Sequence, residues 1–457
     1  MHDVFSELRG AEFGRLDAEG HVYLDHTGSA LYPDRLVRAH AELLRRGVFG
    51  NPHSRSPSSR ASTEIVELAR RRVLEFFRAD PREYEAIFTS NASHSLKLVG
   101  EAYPFAPGSM LRLTADNHNS VNGIREFARA HDADFRYLPL GAELRVADLE
   151  RELAGADSSR PNLFAYPAQS NFSGVQHPLE WIALAHELGY DVLLDAAAFV
   201  PTSRLDLGRH APDFVAISFY KMFGFPTGVG ALLARRAALA RLHRPWFGGG
   251  TVRFASAQNA VHIPYRHAAA FEDGTPNFLS LAGVCDGLDF LEAIGVDAIH
   301  DRVMALGATL LEALLALRHD EGGPMVRVYG PCTMAGRGAT FALNLLDARG
   351  ALVDCRMVEA AAAASNISLR TGYFCNPGAA ETSFELPADE AARCFAELEG
   401  DGFTLHQFSA CLHDRPVGAV RLSLGLSSTE ADLRRGVEFL AGCARSASRS
   451  VSATAAP

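Results

Sequence analysis

Short apolar runs alternate with segments of helical periodicity through the first half of the chain. Apolar residues recur on one helical face between residues 65 and 77, and Ser58 and Ser59 precede them as candidate N-caps. Strand-like runs follow, separated by helical stretches such as 179–188. These runs cover residues 86–89, 110–113, 163–166, 192–194 and 214–217. Strands that alternate with helices predict a mostly parallel α/β sheet.

The pattern changes near residue 285. Two long helical stretches, 281–293 and 298–317, lead into more helices and a few scattered strands, which predicts a second, smaller α/β domain. We therefore expect a large domain over 36–284 and a small C-terminal domain over 285–443. An N-terminal segment, 1–35, is expected to pack with the small domain, and the Ser/Ala-rich tail, 444–457, to be disordered.

Composition and charge narrow the classes of ligand. The chain has 457 residues, 47% of them hydrophobic, and a formal net charge of -10, so nucleic acid is not an expected ligand. No apolar run reaches the roughly 18 residues that span a bilayer, and the N-terminus lacks the features of a signal peptide. We predict a cytoplasmic protein that binds neither nucleic acid nor membrane.

The seven cysteines are scattered and form no CxxC pair, so neither a zinc ribbon nor a thioredoxin-like motif is indicated. Their odd number in a long chain is more typical of a reducing compartment than of a disulfide scaffold. Cys285, Cys355 and Cys394 lie in helical patterns and are predicted to be buried apolar residues. No metal site is predicted.

Two charged residues follow neighbouring strand-like runs. Asp195 closes the run 192–194, and a carboxylate at the C-terminal end of a parallel strand lies where such sheets bind ligands. Lys221 follows the run 214–217, and Lys97 is the only other lysine in this Arg-rich chain. A lysine in an apolar pocket can form a Schiff base, which an arginine cannot. A helix cap and a surface lysine are the ordinary alternatives.

Two loops carry further candidate chemistry. The polar turn 89–93 joins a predicted strand to a helix, where backbone N–H groups bind phosphate well, although an ordinary helix cap explains it equally. Cys375 lies in Arg370-Thr371-Gly372-Tyr373-Phe374-Cys375-Asn376-Pro377-Gly378, whose glycines and proline predict an exposed loop. A loop cysteine beside a cationic site can be a low-pKa nucleophile, whereas most cysteines are simply buried.

The order Asp195, Ser218-x-x-Lys221 and a late Arg-Thr-Gly-x-x-Cys resembles class V aminotransferases, and among them cysteine desulfurases. The likeness is greatest to the N-terminal desulfurase domain of molybdenum cofactor sulfurases, and it runs from about residue 20 to residue 435. The sulfurases continue beyond this domain, so the resemblance implies that the chain corresponds to that domain alone. Matching stretches lie at 23–26, 50–54, 166–174, 218–228, 247–251, 271–275 and 370–378.

The resemblance implies the large and small domains of fold type I of the enzymes that depend on pyridoxal 5′-phosphate (PLP), with a seven-stranded, mostly parallel sheet in the large domain. It implies that Lys221 binds PLP as a Schiff base, that Asp195 pairs with the pyridinium nitrogen and that His118 stacks on the ring. Asn171 would hydrogen-bond near the ring hydroxyl and also contact the substrate. The phosphate would be held by Ala92, Ser93 and Ser218.

The substrate side follows from the same resemblance. Thr275 would reach the phosphate of a neighbouring subunit, because members of the family are homodimers with shared sites. Arg421 would clamp the carboxylate of L-cysteine or a related amino acid bidentately. Cys375 would take sulfur as a persulfide in a mobile loop and pass it to an acceptor protein or cofactor, possible hinges being Gly372 and Gly378. Relatives carry Gln or His three positions after the aspartate, where this chain has Ala198.

Three functions compete at this point. The first is a cysteine desulfurase that supplies persulfide sulfur, for example to a molybdenum cofactor. The second is another PLP reaction on the same fold, by a C–S lyase, a selenocysteine lyase or an aminotransferase. The third is a non-catalytic sulfur carrier or scaffold. Cys375 favours the first over the second, because a lyase or transaminase needs no loop nucleophile, and the intact set Asp195, Lys221, His118 and Arg421 disfavours the third.

Overall fold

A computed structural model describes residues 4–398, 404–412 and 417–454 of the chain. Its strands are β1 (Val22–Tyr23), β2 (Tyr84–Thr89), β3 (Met110–Thr114), β4 (Asp134–Leu138), β5 (Leu163–Pro167), β6 (Asp191–Asp195), β7 (Phe214–Ser218), β8 (Gly230–Arg235), β9 (Val252–Ser256), β10 (Val261–Pro264), β11 (Val326–Tyr329), β12 (Thr340–Leu345), β13 (Ile367–Ser368), β14 (Arg370–Gly372) and β15 (Ala419–Ser423).

A 3₁₀ turn covers His267–Ala270. The α-helices are α1 (Val4–Phe13), α2 (Arg15–Ala18), α3 (Asp34–Arg46), α4 (Pro57–Phe76), α5 (Ala92–Ala102), α6 (Asn119–Asn122), α7 (Ile124–Ala130), α8 (Leu149–Leu153), α9 (Trp181–Glu187), α10 (Phe219–Phe223), α11 (Arg236–Leu239), α12 (Phe278–Ile294), α13 (Val296–Ala316), α14 (Cys355–Ala364), α15 (Pro377–Ser383), α16 (Ala388–Glu397), α17 (Leu405–Cys411) and α18 (Glu430–Thr454).

The large sheet has seven strands in the order β2-β8-β7-β6-β5-β3-β4. β8 runs antiparallel to both of its neighbours, and the remaining pairs are parallel. β5 and β7 are buried along their whole length, because helices cover both faces of the sheet, and this explains their continuous apolar sequence. The predicted mostly parallel α/β sheet is confirmed, including all five of the predicted strand-like runs.

The helix predicted over the apolar face 65–77 is α4, but its cap differs from the prediction. Ser56 is the N-cap, and its hydroxyl accepts a hydrogen bond from the backbone N–H of Ser59, while Pro57 occupies the first helical position. Ser58 and Ser59 are therefore inside the first turn. α4 packs along α12, which continues through residues 284 and 285 without a break.

The smaller sheet is antiparallel, with the order β11-β12-β15-β14. The N-terminal segment lies beside this sheet. β1 pairs with β13 in a separate two-stranded sheet, Asp25 forms an isolated bridge with Ser423 of β15, and the guanidinium of Arg9 bonds to Asp432. The packing of 1–35 on the small domain and the domain boundaries near residues 36, 285 and 443 stay predictions.

Two expectations about the C-terminal part of the chain are wrong. The tail predicted to be disordered is helical as far as α18 extends. Ala is a strong helix former, and Ala444 is fully buried against the core. Residues 455–457 lie outside the described part of the chain. Cys394 is buried as predicted, but it forms a disulfide with Cys411, which links α16 to α17. In the described ranges, no helix is both long and apolar enough to cross a membrane.

Candidate active site

A pocket opens at the C-terminal edge of the large sheet, where parallel α/β sheets bind ligands. Its walls come from the loops after β2, β3, β5, β6 and β7. Most of the predicted site residues line it together: Ala92, Ser93, His118, Asn171, Asp195, Ser218 and Lys221. The parallel register explains their proximity, since Pro167 pairs with Asp195 and so aligns the ends of two strands.

One end of the pocket is built to receive an anion. α5 begins there, with Asn91 as the N-cap that accepts from His94 N at 2.9 Å. The backbone N–H of Ala92 donates to Ser218 Oγ at 2.8 Å, and the hydroxyls of Ser93 and Ser120 are 2.6 Å apart. Backbone N–H groups at a helix start and adjoining hydroxyls are the donor set that suits a phosphate.

The opposite end carries the carboxylate and the amine. Asp195 Oδ1 accepts from Ala197 N at 3.0 Å, which fixes the carboxylate at the end of β6. Lys221 lies in the short helix α10, which ends at Gly224 in the left-handed region (φ 76°), where a Cβ would overlap the backbone of Tyr32. Burial lowers the pKa of Lys221, partly offset by Asp195, so its amine is more readily neutral and nucleophilic.

His118 lies over this pocket as the N-cap of α6. Its Nδ1 accepts from the backbone N–H of Ser120 at 3.1 Å. Burial lowers its pKa, which is raised by Asp195 and lowered further by Lys221 and Arg421, so the imidazole is neutral near pH 7. With Nδ1 as the acceptor, the proton of the neutral ring belongs on Nε2.

Arg421 lies beside the pocket and is already paired with a carboxylate. Its Nη2 donates to Asp25 Oδ1 at 2.8 Å and its Nη1 to the backbone oxygen of Asn171 at 3.0 Å, while Nε is buried with no hydrogen-bond partner in the described part of the chain. The other oxygen of Asp25 accepts from Arg370 Nη2 at 2.7 Å. Asp25 thus bridges two arginines that are register partners in β14 and β15.

Cys375 lies in the loop between β14 and α15, and its side chain is exposed, as predicted. Phe374 and Cys375 both have left-handed backbone angles (φ 54° and 55°), which turn the chain sharply and cost roughly 1–3 kcal/mol each. Four hydrogen bonds hold the loop to the large domain: Asn171 Nδ2 to Phe374 O, Asn119 N to Cys375 O, and Asn376 Nδ2 to Asn171 Oδ1 and Asp116 O.

Thr275 stays outside this pocket. Its hydroxyl accepts from Asn51 Nδ2 at 3.2 Å in a turn joined to the 247–251 loop by the bond from Gly274 N to Gly249 O. Two residues of the site carry no role in the sequence analysis. Asp25 and Gln169 lie in the matching stretches 23–26 and 166–174, which was the available signal, but their partners are visible only in three dimensions.

The sequence model of class-V aminotransferases matches residues 22–435, which is nearly the whole chain. The chain belongs to the class-V aminotransferase family. Within this family, it is 38% identical to a molybdenum cofactor sulfurase of Bos taurus and 36% identical to one of Homo sapiens, over 95% of its length in both cases. The class-V chain covers 51% of each of these relatives, so it spans about half the length of the curated relatives that it matches.

Solved structures of cysteine desulfurases share the fold of this class-V protein. The apo enzyme of Thermococcus onnurineus superposes with a TM-score of 0.78 at 23% identity, covering 97% of this chain and 98% of its own. The Escherichia coli enzyme superposes with a TM-score of 0.74 at 21% identity, again covering 97% and 98%. The predicted fold type I is therefore confirmed.

The pocket of the class-V protein fits PLP, the cofactor of this family. The phosphate has the donors at the start of α5, the pyridine nitrogen has the carboxylate of Asp195, and the aldehyde has the amine of Lys221. One oxygen of Asp195 has no hydrogen bond within the described residues, so it is available to accept a hydrogen bond from the pyridinium nitrogen.

Proposed function

We propose that the chain is a PLP-dependent, cysteine desulfurase-like enzyme that moves sulfur from L-cysteine, or a cysteine derivative, onto Cys375 as a persulfide. The observation that carries the proposal is the attachment of the Cys375 loop to Asn171, a residue of the cofactor pocket. An exposed thiol, in a loop that is held to the pocket of a buried lysine with a lowered pKa, is the arrangement that sulfur abstraction needs, and a molybdenum cofactor is our candidate acceptor.

When bound, PLP supplies an electron sink that weakens the bond between the β carbon and the sulfur of the substrate. The residues of the chain orient the reactants and move protons. Lys221 Nζ, whose pKa is lowered by burial, is the base beside the substrate α carbon. His118 presents a neutral ring, and its Nε2 proton would be available to the carbon skeleton that keeps the electron pair.

Arg421 is our candidate for the substrate carboxylate. Among the residues that the structure describes, its buried Nε has no hydrogen-bond partner, and Asp25 fixes the plane of its guanidinium. Arg370, which is about half exposed, pairs with the same Asp25 and adds positive charge at the mouth of the site. A carboxylate that enters here meets the guanidinium groups of Arg421 and Arg370, which favour its binding.

In the transfer step, Cys375 would be the residue that takes the sulfur. The thiolate attacks the sulfur of the substrate, an S–S bond forms, and the carbon–sulfur bond breaks. The carbon skeleton keeps the electron pair of that bond and takes up a proton, so one cysteine and one thiol become one alanine and one persulfide. Arg370 is a candidate to stabilise the attacking thiolate, since Asp25 and, to a smaller extent, Cys375 contribute to its raised pKa.

The test compares two exposed cysteines. Cys375→Ser should keep the visible band of lysine-bound PLP and lose persulfide formation with L-cysteine, whereas Cys332→Ser, which removes another exposed free thiol, should behave as wild type. Mass spectrometry should find one added sulfur atom on the peptide with Cys375. Release of sulfide together with pyruvate and ammonia by the Ser variant at the wild-type rate would instead make the C–S lyase function correct. Lys221→Ala should lose the visible band altogether.

We also propose that the protein is a homodimer in which Thr275 completes the partner's phosphate site. The hairpin β9–β10 supports this, because it exposes the apolar side chains of Phe254, Val261 and Ile263 next to the turn that carries Thr275. A dimer at micromolar concentration in sedimentation analysis is expected, and a monomer would contradict the proposal. We further propose that the domains divide after residues 35, 284 and 443 and that the protein is cytoplasmic.

A further inference from the structure

We propose that Gln169 positions the cofactor by donating its side-chain N–H to the ring oxygen of PLP, a role that rests on the proposed binding of PLP in this pocket. Gln169 is buried, and it lines the pocket together with Asp195, Ala198 and Lys221. It comes two residues after Pro167, which pairs with Asp195 in the sheet. Its backbone position is therefore set by the same strand ends that fix the carboxylate.

Gln169 lies on the lysine side of the pocket. A small cavity behind the pocket shares three wall residues with it, namely Gln169, Ala198 and Lys221. These three side chains therefore form the wall between the pocket and the small cavity, called the partition below. The ring oxygen of PLP is on the carbon next to the one that bears the aldehyde, and the aldehyde carbon bonds to Lys221. A donor for that oxygen must consequently lie beside Lys221, as Gln169 does.

The amide of Gln169 is held in one orientation. Its Oε1 accepts from Gln176 Nε2 at 3.0 Å, and Gln176 Nε2 also reaches Ser203 Oγ at 3.4 Å. The backbone of Gly338 packs closely against the amide of Gln169, since a Cβ at Gly338 would overlap that amide. Within the described ranges nothing accepts a hydrogen bond from Gln169 Nε2, and this atom is not sealed from the pocket. The fixed Oε1 therefore aims a spare donor at the cofactor space.

The other amide of the pocket is engaged elsewhere. Asn171, the residue expected near the ring hydroxyl, donates to Phe374 O and accepts from Asn376 Nδ2, both in the Cys375 loop. Ala198, where relatives carry Gln or His, offers no polar group. Of the groups on the cofactor, the phosphate, the pyridine nitrogen and the aldehyde already have partners in the pocket. Gln169 supplies the remaining partner from a different strand.

The test measures the cofactor itself, independent of turnover. Gln169→Ala should weaken PLP affinity about two- to tenfold, since one hydrogen bond is lost. The pKa of the visible chromophore, read from absorbance against pH, should rise by roughly half a unit to one unit, because a donor to the ring oxygen favours its deprotonated form. Gln169→Glu, of the same shape, should raise that pKa further by adding negative charge beside the oxygen.

Two further variants make the result decisive. Gln169→Ala combined with Ala198→Gln returns an amide to the partition from the neighbouring strand and should restore both the affinity and the chromophore pKa. Gln407→Ala removes an exposed glutamine of α17 and should change neither. If wild type binds PLP and the Gln169 variants keep its affinity and chromophore pKa, the inference is wrong. If wild type itself forms no visible band, the proposed function fails first.

Discussion

The side-chain amide of Asn171 donates a 2.7 Å hydrogen bond to the backbone oxygen of Phe374, the residue before Cys375. Because Asn171 also lines the cofactor pocket, this bond connects the candidate cofactor site to the candidate nucleophile. Two consecutive residues in the left-handed region, Phe374 and Cys375, need such support to keep their strained conformation. Asn171 therefore links the position of the Cys375 thiol to the cofactor pocket.

We predict that Asn171→Asp disturbs the thiol more than the cofactor. A carboxylate cannot donate to Phe374 O and would repel it, so persulfide formation should fall at least about tenfold, while PLP affinity changes only a few-fold. Hydrogen exchange of residues 373–376 should accelerate. Asn366→Asp is the matched control, since it removes a 2.9 Å amide-to-carbonyl bond to Glu19 outside the pocket. Equal effects of the two variants would contradict a specific link.

The sheet and most of the pocket could be predicted because their signals are local. Buried parallel strands are continuous apolar runs, and Asp195 and Lys221 come directly after two of them. The bond between Asp25 and Arg421 joins residues 396 positions apart, and no local pattern indicates it. The orientation of Gln169 likewise could not be predicted, because it depends on a hydrogen bond from Gln176. The turn between these two residues must form before their side chains can meet.

The errors in the C-terminal region have a different cause. Residues 444–454 are rich in Ser and Ala, a composition shared by disordered tails and by helices with small residues on the packed face. Burial of Ala444 on the core decides between them, and burial is a tertiary property. The pairing of Cys394 with Cys411 likewise depends on how α16 and α17 pack, not on a recognisable spacing.

The carboxylate of Asp25 is predicted to support substrate binding through Arg421. In Asp25→Asn the two arginines lose their shared anion, and mutual repulsion should move Arg370 towards solvent and loosen Arg421. KM for L-cysteine should rise roughly tenfold or more, with PLP affinity unchanged. Asp17→Asn breaks a more exposed pairing with Arg9 and should leave KM alone. A lower KM in Asp25→Asn would mean that Asp25 competes with the substrate.

His26 should make the fold sensitive to acid. Burial lowers its pKa from 6.5 to about 4, with Asp25 opposing and Arg9 adding to the shift, so the folded protein holds it neutral. The unfolded chain binds the proton near pH 6.5, so the stability contributed by the neutral ring is present above that pH. It is lost as the pH falls from 6.5 to about 4.

Between pH 7.5 and pH 5 this linkage should cost about 2 kcal/mol of unfolding free energy. Denaturant titrations of wild type and His26→Gln at both pH values measure it as the difference in their pH dependence. His131→Gln, at an exposed position, should keep the wild-type dependence. Parallel pH profiles for wild type and His26→Gln would show that the acid sensitivity originates elsewhere.

Arg337 is predicted to be the most costly of the buried cations to remove. It is fully buried, burial lowers its pKa to about 10, and it donates to the backbone oxygens of Pro331, Ser173 and Thr340. Two of these carbonyls belong to the small domain, whereas Ser173 lies in the turn that carries Gln169 and Asn171. The guanidinium therefore ties the wall of the pocket to the small sheet.

In Arg337→Met all three carbonyls lose their donor while they remain buried, and each unsatisfied group costs about 1–3 kcal/mol. We expect a loss of at least about 3 kcal/mol in unfolding free energy, together with weaker PLP binding as the 169–176 turn relaxes. Arg145→Met is the control, because Arg145 donates to Ala335 and Gly336 of the same loop from a partly exposed position and should cost less than about 1 kcal/mol. If Arg337→Met lost stability but bound PLP with wild-type affinity, the turn would hold the pocket without the small domain, and the coupling argued from Ser173 would be wrong.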